Sequence, residues 1–449
     1  MLTKPMPLNI TQAFTSDYKR SPLLLIEGVG LSAILMFSLV FWINRDLGRI
    51  CEVTATVAVV LSALQIWRRD RVEWLWLLLA GWILFMAAVN FGATIKYPEF
   101  EGDHIRYARY YTRLFLFLIA GWWLGGNLKT VFIFLGLAAL GIFTEGFLNA
   151  GAKEWEYLFA GKRVDFAFRN AQHTAITFSI VFLGTLCFWK RFFVTKLKMF
   201  RFLTVIVWTV LAAASFLILI GTQARQLYPA FFACIIAAAI WSILKIRSRN
   251  LNFRQLALPS ITLCTIIIVA LLFFEPIQGT WQRFEKDRET ILQGIQGDID
   301  NLEQNGVGIR IRQWRFAADK FLEKPLTGYG GATKYLLIKK SDMPDYIKAR
   351  FGHFHNGYLE MGVAYGLPGM LIFPLLLTVL AVRLVRARRR GTVPEDFMLF
   401  GLLSLIFFAV VNLFESYVMY RSGYFFMCVV GGTIYTLTRH RSFKSKRRC

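Results

Sequence analysis

The sequence has few acidic residues and few cysteines for its length. Among 449 residues it holds 28 Asp and Glu against 52 Lys and Arg, and only 18% of its residues are charged. None of the six cysteines lies in the one long connection, about residues 276–354, so neither a disulfide framework nor a Cys-ligated metal is expected there. So little charge excludes a disordered or coiled-coil chain and does not suit an ordinary soluble domain.

The chain is rich in apolar residues. Hydrophobic residues make up 56% of the chain and aromatic residues 16%. A bilayer core takes about 20 helical residues, and twelve apolar runs of suitable length predict an all-α polytopic membrane protein with about 12 transmembrane helices. The runs lie roughly at 22–43, 48–67, 73–92, 107–125, 128–147, 171–189, 202–221, 227–244, 256–275, 357–382, 397–413 and 422–438.

The predicted organisation has four parts. Residues 1–275 form a membrane domain with the first nine spans, and 276–354 form a helical loop subdomain outside it. Residues 355–438 carry the last three spans, and 439–449 form a basic tail. A polar stretch precedes the first span and no small-residue cleavage site follows it, so we expect this span to stay as a membrane anchor.

The basic residues mark one side of the membrane. They concentrate in alternate connections, near 68–71, 190–201, 245–254, 383–390 and 439–448. Short loops rich in Lys and Arg stay cytoplasmic, and all five fall on the same side if both termini are cytoplasmic. This side then carries about +22 of the net +24 charge and the outer side about +3, and Glu27 inside the first span accounts for the remaining −1. The charge therefore predicts orientation or contact with anionic lipids rather than nucleic-acid binding.

Arg310 is a candidate anion ligand on the helix predicted near 308–323, within GIRIRQWRFAADKFLEKP. At about 100° per residue, Arg310 lies within about 40° of Trp314 on the apolar face. Burial of an unpaired guanidinium is prohibitive, so Arg310 should hold either an anion or a loop carboxylate. Arg312 and Arg315 point the opposite way and are interpreted as a solvated face.

Arg225 is a second candidate, in GTQARQLYP between the seventh and eighth spans. A short connection on the outer side needs no arginine, and the positive-inside tendency disfavours one there. The alternatives are a phospholipid head-group contact and a phosphate ligand, for which arginine offers a planar bidentate fork.

His355 is the candidate base, in FGHFHNGYLE where the long loop meets the tenth span. An unperturbed histidine has a pKa near 6.5 and can act as a general base at neutral pH. Asn356 follows it and can cap the apolar helix that begins there. His353 is the rival candidate, because the local conformation decides which ring faces a site.

Further charged residues on the outer side are supporting candidates. Arg106, Arg109 and Arg113 follow i, i+3, i+7 spacing and predict a cationic stripe, either for head-group anchoring or for a lipid phosphate. Glu415, near the outer end of the eleventh span, is either a ligand that orients an arginine or an ordinary helix-end acid.

The sequence offers only one weak metal-binding pattern. Asp298 and Asp300 form a DxD-like pair, but they lie in a polar helical run and are interpreted as solvated. No other carboxylate or histidine spacing is convincing for a metal.

These features together resemble the O-antigen ligase and polymerase superfamily of bacterial surface-glycan assembly, and its ligases most in length and loop placement. The specific motifs occupy 222–228 and 308–367, and HNGYLEMGVAYGLPG is the most distinctive. By resemblance, His355 matches the histidine of the HN motif, Arg225 the arginine of the short outer loop, and Arg310 the arginine four residues before the loop tryptophan. Arg312 is the register alternative to Arg310.

The resemblance implies a GT-C-like glycosyltransferase of the bacterial inner membrane, without metal or other cofactor, whose active site and large helical loop lie on the periplasmic face. It implies transfer of a glycan from undecaprenyl diphosphate to a sugar hydroxyl of lipid A-core. His355 would be the base and the arginines would bind the diphosphate, with inversion at the anomeric carbon. The alternatives are an O-antigen polymerase with the same donor and a polytopic lipid or solute transporter.

Overall fold

The computed structural model describes residues 22–66, 73–166, 168–193, 198–248, 287–299 and 301–439. All regular structure in these residues is helical. Residues 287–295 are helical, and the other α-helices are α1 Pro22–Ile43, α2 Arg45–Ile66, α3 Trp74–Lys96, α4 Glu101–Thr112, α5 Leu116–Leu124, α6 Leu128–Asn149, α7 Gly151–Phe159, α8 Ala171–Phe193, α9 Lys198–Gly221, α10 Leu227–Ser248, α11 Gly306–Glu323, α12 Thr333–Lys339, α13 Asp345–Arg350, α14 Gly357–Arg389, α15 Glu395–Val411, α16 Arg421–Phe426 and α17 Gly432–Thr438.

Seven helices in the described part of the chain are long and apolar enough to cross a membrane. They are Leu25–Ile43, Trp74–Lys96, Leu128–Leu148, Ala171–Phe193, Arg201–Gly221, Leu227–Leu244 and Gly357–Arg389. Each coincides with a run identified in the sequence, so the all-helical class is confirmed and the candidate spans agree with a polytopic membrane protein. The number of twelve spans stays a prediction.

The remaining predicted spans differ in kind. The second coincides with α2, whose first turns carry charged residues, and the eleventh with α15, which has 17 residues. The twelfth consists of α16, a π-helical segment at Met427–Gly431, and α17. The ninth, 256–275, lies outside the described residues.

The fourth predicted span, 107–125, is broken in the structure. The polar helix α4 ends at Thr112, a 3₁₀ turn follows at Arg113–Phe115, and the apolar helix α5 begins at Leu116. Arg113 Nε donates to Glu52 Oε1 at 2.7 Å, so the break accompanies a half-buried ion pair that the apolar pattern alone did not indicate.

Charged groups from connections predicted to be cytoplasmic meet at one end of the helices. Arg383 pairs with Glu73, and Arg191 pairs with Asp396. Arg383 lies near the last residue of α14, whereas the HN motif directly precedes Gly357, the first residue of the same helix. The two ion pairs and the HN motif are therefore at opposite ends of α14. The orientation of the two ends relative to a membrane stays a prediction.

The described part of the long connection packs around a small apolar cluster of its own. Ile309 and Ala317 of α11 contribute to it together with Ile338 and Ile347. Phe354, beside the HN motif, and Val363 of α14 complete the cluster. The same cluster therefore joins the loop helices to the membrane helix that carries the candidate site.

A kink in α14 receives the PLTGYG segment of the loop. Tyr365 and Gly366 leave the helical conformation, and Gly366 has φ of +65°. The freed carbonyls of Val363 and Ala364 accept from Tyr329 N and Gly330 N, at 2.9 and 2.8 Å. Irregular backbone in a membrane helix needs such partners, so loop and helix stabilise each other here.

Candidate active site

The HN motif places His355 in an unusual backbone conformation. His355 has φ of +51°, which a non-glycine residue adopts only at a cost that its surroundings must offset. Directly after it, the Asn356 side chain accepts from Tyr358 N and Leu359 N, and so caps α14 as predicted. The turn thus aims His355 away from the helix that it precedes.

His355 lies in a buried environment beside α11. Its ring is 8% exposed, and its Nδ1 lies 2.9 Å from the amide oxygen of Gln313. Burial lowers the pKa of His355 to about 3, and the neighbouring His353 and Arg310 act in the same direction. A neutral ring that donates from Nδ1 to Gln313 leaves Nε2 with a lone pair, as a proton acceptor requires.

His353 faces the same site and contacts a buried acid. The rings of His353 and His355 lie 4.0 Å apart, centroid to centroid. His353 Nε2 lies 3.1 Å from Glu415 Oε1, and the Glu415 residue is 2% exposed. Burial raises the pKa of Glu415, but the hydrogen bond from His353 and the electrostatic interaction with that ring outweigh it and lower the pKa below its usual range. An ionised Glu415 therefore orients the His353 ring.

Arg310 joins this group through a glutamine. With its amide oriented to suit both neighbours, Gln172 accepts from Arg310 Nη2 at 2.9 Å and donates to Glu415 Oε2. Arg310 Nη1 also donates to Gly306 O at 3.2 Å, while its buried Nε has no hydrogen-bond partner in the described part of the chain. The partly buried guanidinium thus faces the acid across one amide and retains an unused donor.

A buried ion pair lies behind the two histidines. Lys334 and Glu360 form it with side chains 1% and 0% exposed. Glu360 Oε2 accepts from Phe354 N at 2.9 Å and from Ser416 Oγ at 3.1 Å. Phe354 lies between the histidines, and Ser416 follows Glu415, so one carboxylate holds both segments of the site.

Arg225 lies at the edge of the same assembly. Its exposed side chain forms an ion pair with the buried Asp287 at the start of helix 287–295. The next residue, Gln226, donates to the hydroxyl of Tyr417. Tyr417 in turn donates to the backbone oxygen of Gln172 at 2.9 Å, which connects the short loop to the residues around Glu415.

The expectation that Arg312 is solvated is wrong. Arg312 is partly buried, and it donates to Leu302 O at 2.7 Å and to the Tyr346 hydroxyl at 3.4 Å. It therefore ties two parts of the loop together. Arg315, by contrast, is 65% exposed and lies 3.5 Å from Asp319, as a solvated face predicts.

A cavity of about 750 Å³ opens beside His353. Two glutamates, Glu52 and Glu145, line it together with eight arginines, an excess of six positive charges. We call this the arginine cavity, and its arginines are Arg45, Arg49, Arg106, Arg109, Arg113, Arg169, Arg350 and Arg421. All eight come from segments that the predicted topology places on the outer side, although far apart in sequence.

The supporting arginines predicted from the sequence all line this cavity, with different partners. Arg106 pairs with Asp103 at 2.7 Å and Arg113 with Glu52 at 2.7 Å. Arg109 makes no ion pair within the described ranges. The three therefore contribute to a larger cationic surface rather than form a separate stripe.

Comparison with known proteins assigns the region that contains the histidines. Residues 210–374 match the family model described as O-antigen ligase. This part of the chain is similar to the O-antigen ligase family. A Rickettsia conorii protein named as a putative polysaccharide ligase is 35% identical over 69 residues, which cover 14% of this chain and 17% of that protein. Similarity to the O-antigen ligase family supports a role in polysaccharide assembly.

The O-antigen ligase match contains both histidines, Arg225 and Arg310, but only part of the surrounding site. Gln172 and Glu415 lie outside residues 210–374. So do seven of the eight cavity arginines, all except Arg350. The match therefore covers the centre of the site and says nothing about most of the arginine cavity.

One group of side chains near the O-antigen ligase motif has metal-ligand geometry. The ligand atoms of His353, His355 and Glu415 lie within 4.8 Å of one another. Asp298 is exposed and accepts from Asn301 Nδ2 at 2.9 Å, which agrees with a solvated acid, and Asp300 lies outside the described residues. A metal-independent reaction stays a prediction, and a chelator tests it.

Reasoning from the sequence missed four residues that hold this candidate site together: Gln172, Gln313, Lys334 and Glu360. The two glutamines carry no charge, so nothing in the local pattern distinguished them. Lys334 and Glu360 lie in segments where a charged residue could equally be solvent-exposed. The one available signal was the position of Glu360 within HNGYLE, one turn into the helix on which His355 depends.

Proposed function

We propose that this protein is an O-antigen ligase that transfers a glycan from undecaprenyl diphosphate to a sugar hydroxyl of lipid A-core, at the periplasmic face of the bacterial inner membrane. The observation that carries the proposal is the convergence of Arg310, Glu415 and the two histidines beside the arginine cavity. The family match over residues 210–374 supports the polysaccharide class of the reaction.

The proposed step is a single displacement at the anomeric carbon. His355 Nε2 removes the proton of the acceptor hydroxyl while its oxygen forms the new bond to that carbon. The bond from the anomeric carbon to the diphosphate oxygen breaks, and undecaprenyl diphosphate leaves with the electron pair. Attack opposite the leaving group inverts the configuration, and a positioned base contributes about 10² to 10⁴ in rate.

The leaving diphosphate needs positive charge in a site that is partly dry. Arg310 supports this role because burial and the unused Nε donor leave it ready for an anion. Arg225 is proposed as the second ligand, and its link through Gln226 to Tyr417 supports that position. Arg312 is the weaker choice, since its guanidinium holds Leu302 and Tyr346.

The two histidines have different proposed roles. His355 is neutral because of its low pKa and has its Nδ1 fixed by Gln313, which suits a proton acceptor at Nε2. His353 is oriented by Glu415 and lines the arginine cavity. We assign it to positioning the acceptor beside His355.

The experiment is an in vitro transfer assay with purified full-length protein, a glycan on undecaprenyl diphosphate and lipid A-core as the only acceptor. Wild type should form the ligated product, and His355→Ala should abolish transfer while its unfolding temperature stays within a few degrees. Arg315→Gln, on the exposed face of α11, is the matched control and should retain full rate.

Three results would contradict the proposal. Full activity of His355→Ala would remove the proposed base. Product formed only when a second undecaprenyl-linked glycan replaces lipid A-core would identify a polymerase instead. Solute uptake in proteoliposomes without glycan transfer would identify a transporter, although the clustering of the candidate side chains at one end of the helices favours an enzyme.

A further inference from the structure

The arginine cavity holds more positive charge than the proposed donor requires. Arg225 and Arg310, the proposed diphosphate ligands, do not line it. Eight other arginines do, against two glutamates. A phosphate monoester carries about −1.5 to −2 charges at pH 7, so an excess of six charges matches several anionic groups on one ligand.

Two arginines of α2 line the end of the cavity near the α1–α2 connection. Arg45 and Arg49 lie four residues apart on the first turns of α2, so they share one face of that helix. Both are exposed, and neither makes an ion pair within the part of the chain that the structure describes. Arginines without acidic partners on a concave surface favour an anionic ligand.

The other end of the cavity reaches the histidines. Arg169 stacks on the Tyr420 ring at 4.2 Å, and that ring lies 5.9 Å from the ring of His353. His353 itself lines the cavity, whereas His355 and Arg310 do not. A ligand in the cavity therefore contacts His353, whose ring lies 4.0 Å from the ring of His355, centroid to centroid.

We propose that the arginine cavity is the acceptor site and that it takes a saccharide bearing phosphate or carboxylate groups, which Arg45 and Arg49 bind while the reacting hydroxyl points to His353 and His355. This inference rests on the proposed glycan transfer. A volume of about 750 Å³ lies within the range of about 300–1,000 Å³ found for ligand pockets, and it far exceeds what one phosphate group occupies.

The test compares lipid A-core with its phosphates and the same material after chemical removal of the phosphates. The variant is the double substitution Arg45→Gln and Arg49→Gln, and Arg315→Gln is the control. For the phosphorylated acceptor, the double variant should raise KM about tenfold or more, because two charge-assisted contacts are lost. The kcat and the donor KM should stay unchanged, and the control should match wild type.

Removal of the phosphates should raise the KM of wild type to nearly that of the double variant. Added NaCl should weaken the binding of the phosphorylated acceptor only, since salt screens exposed charges. The proposal is wrong if the double variant raises the donor KM instead, or if it affects both acceptors equally.

A binding measurement separates this inference from the proposed reaction. In His355→Ala protein without donor, calorimetry should detect the phosphorylated saccharide, with weaker binding when Arg45 and Arg49 are also replaced. That result would support an anionic saccharide site even if no transfer occurs. Loss of saccharide binding in phosphatidylglycerol nanodiscs, but not in phosphatidylcholine nanodiscs, would show that lipid head groups fill the cavity and would overturn the assignment.

Discussion

The imidazole rings of His353 and His355 lie 4.0 Å apart, yet each has a different polar partner: Glu415 for the first and Gln313 for the second. Two adjacent imidazoles cannot both carry charge cheaply. The buried His355 is therefore neutral, and the acid beside His353 is ionised. The pH dependence of the reaction therefore tests whether His355 is neutral.

Transfer should be insensitive to mild acid. Because the pKa of His355 is lowered to about 3, its base form is present above that value and is lost only as the pH falls through it. The kcat/KM of wild type should stay level from about pH 8 to about pH 5, since this ratio reports the free enzyme. The profile should also be measured in His353→Asn. An acid limb near the ordinary histidine value of about 6.5 in that variant would contradict the low pKa of His355.

Glu415→Gln should lower kcat about 10- to 100-fold, on the scale found when a residue that orients a functional histidine is replaced. The amide leaves the size of the side chain unchanged but removes the negative charge that orients His353. The same charge accepts the hydrogen bond of Gln172, which in turn accepts from Arg310. Asp298→Asn, at an exposed acid, is the control and should have no effect. Equal kcat values for Glu415→Gln and wild type would refute the role of this acid.

The Lys334–Glu360 pair should position the histidines rather than merely stabilise the fold. Glu360→Gln alone leaves the Lys334 charge buried and should cost about 3–5 kcal/mol of stability, whereas adding Lys334→Met should restore most of it. The double variant should still lose kcat, because Phe354 N and Ser416 Oγ lose their carboxylate. Acceptor and donor KM values should stay near those of wild type.

A matched surface pair controls for this result. Lys348 and Asp345 form an ion pair on α13, with the acid 97% exposed. The substitution Lys348→Met with Asp345→Asn should change neither stability nor kcat. Full kcat in the Lys334→Met, Glu360→Gln double variant would show that the buried pair is purely structural.

Arg310→Lys should bind the donor more weakly and turn it over more slowly than wild type. Both effects should be larger in Arg310→Gln. Lysine keeps the charge but cannot present two parallel donors to a diphosphate. Steady-state kinetics with varied donor should show the loss in donor kcat/KM, with acceptor KM little changed. An acceptor KM that rises instead would place Arg310 on the other substrate.

EDTA should leave transfer unchanged after dialysis of the purified protein. The proposed step uses arginines in place of a divalent cation. Activity that is lost with EDTA and restored by Mn²⁺ or Zn²⁺ would contradict this. Substitutions at Glu415 and at Asp298 would then identify which of the two candidate sites holds the metal.

The helical class and the central motif were predictable because their signals are local. An apolar run of about 20 residues identifies a membrane helix whatever its neighbours are, and Asn356 before Gly357 identifies a helix start. The arginine cavity was not predictable, because Arg45, Arg169 and Arg421 meet only through packing of distant helices. Their excess charge was hidden in an outer face that is nearly neutral as a whole.

Glutamines and buried pairs were missed for a related reason. Gln172 acts by bridging Arg310 and Glu415, each from a different part of the chain, and an amide has no charge that the sequence could flag. Arg312 was misjudged because helical periodicity gives the direction of a side chain but not what lies there. In the structure Leu302 and Tyr346 occupy that side of α11.

The backbone hydrogen bonds from Tyr329 and Gly330 to Val363 and Ala364 have a consequence for engineering. At Gly328, a Cβ would lie only 2.5 Å from the backbone of Ala364, so loop and kinked helix fit each other without spare room. Exchanging only the loop that holds Tyr329 and Gly330 between related proteins, as a route to new specificity, would separate two halves of one fitted surface. Chimeras should therefore exchange residues 306–369 as a block, and those that divide it between the loop and the kink should be the ones that misfold.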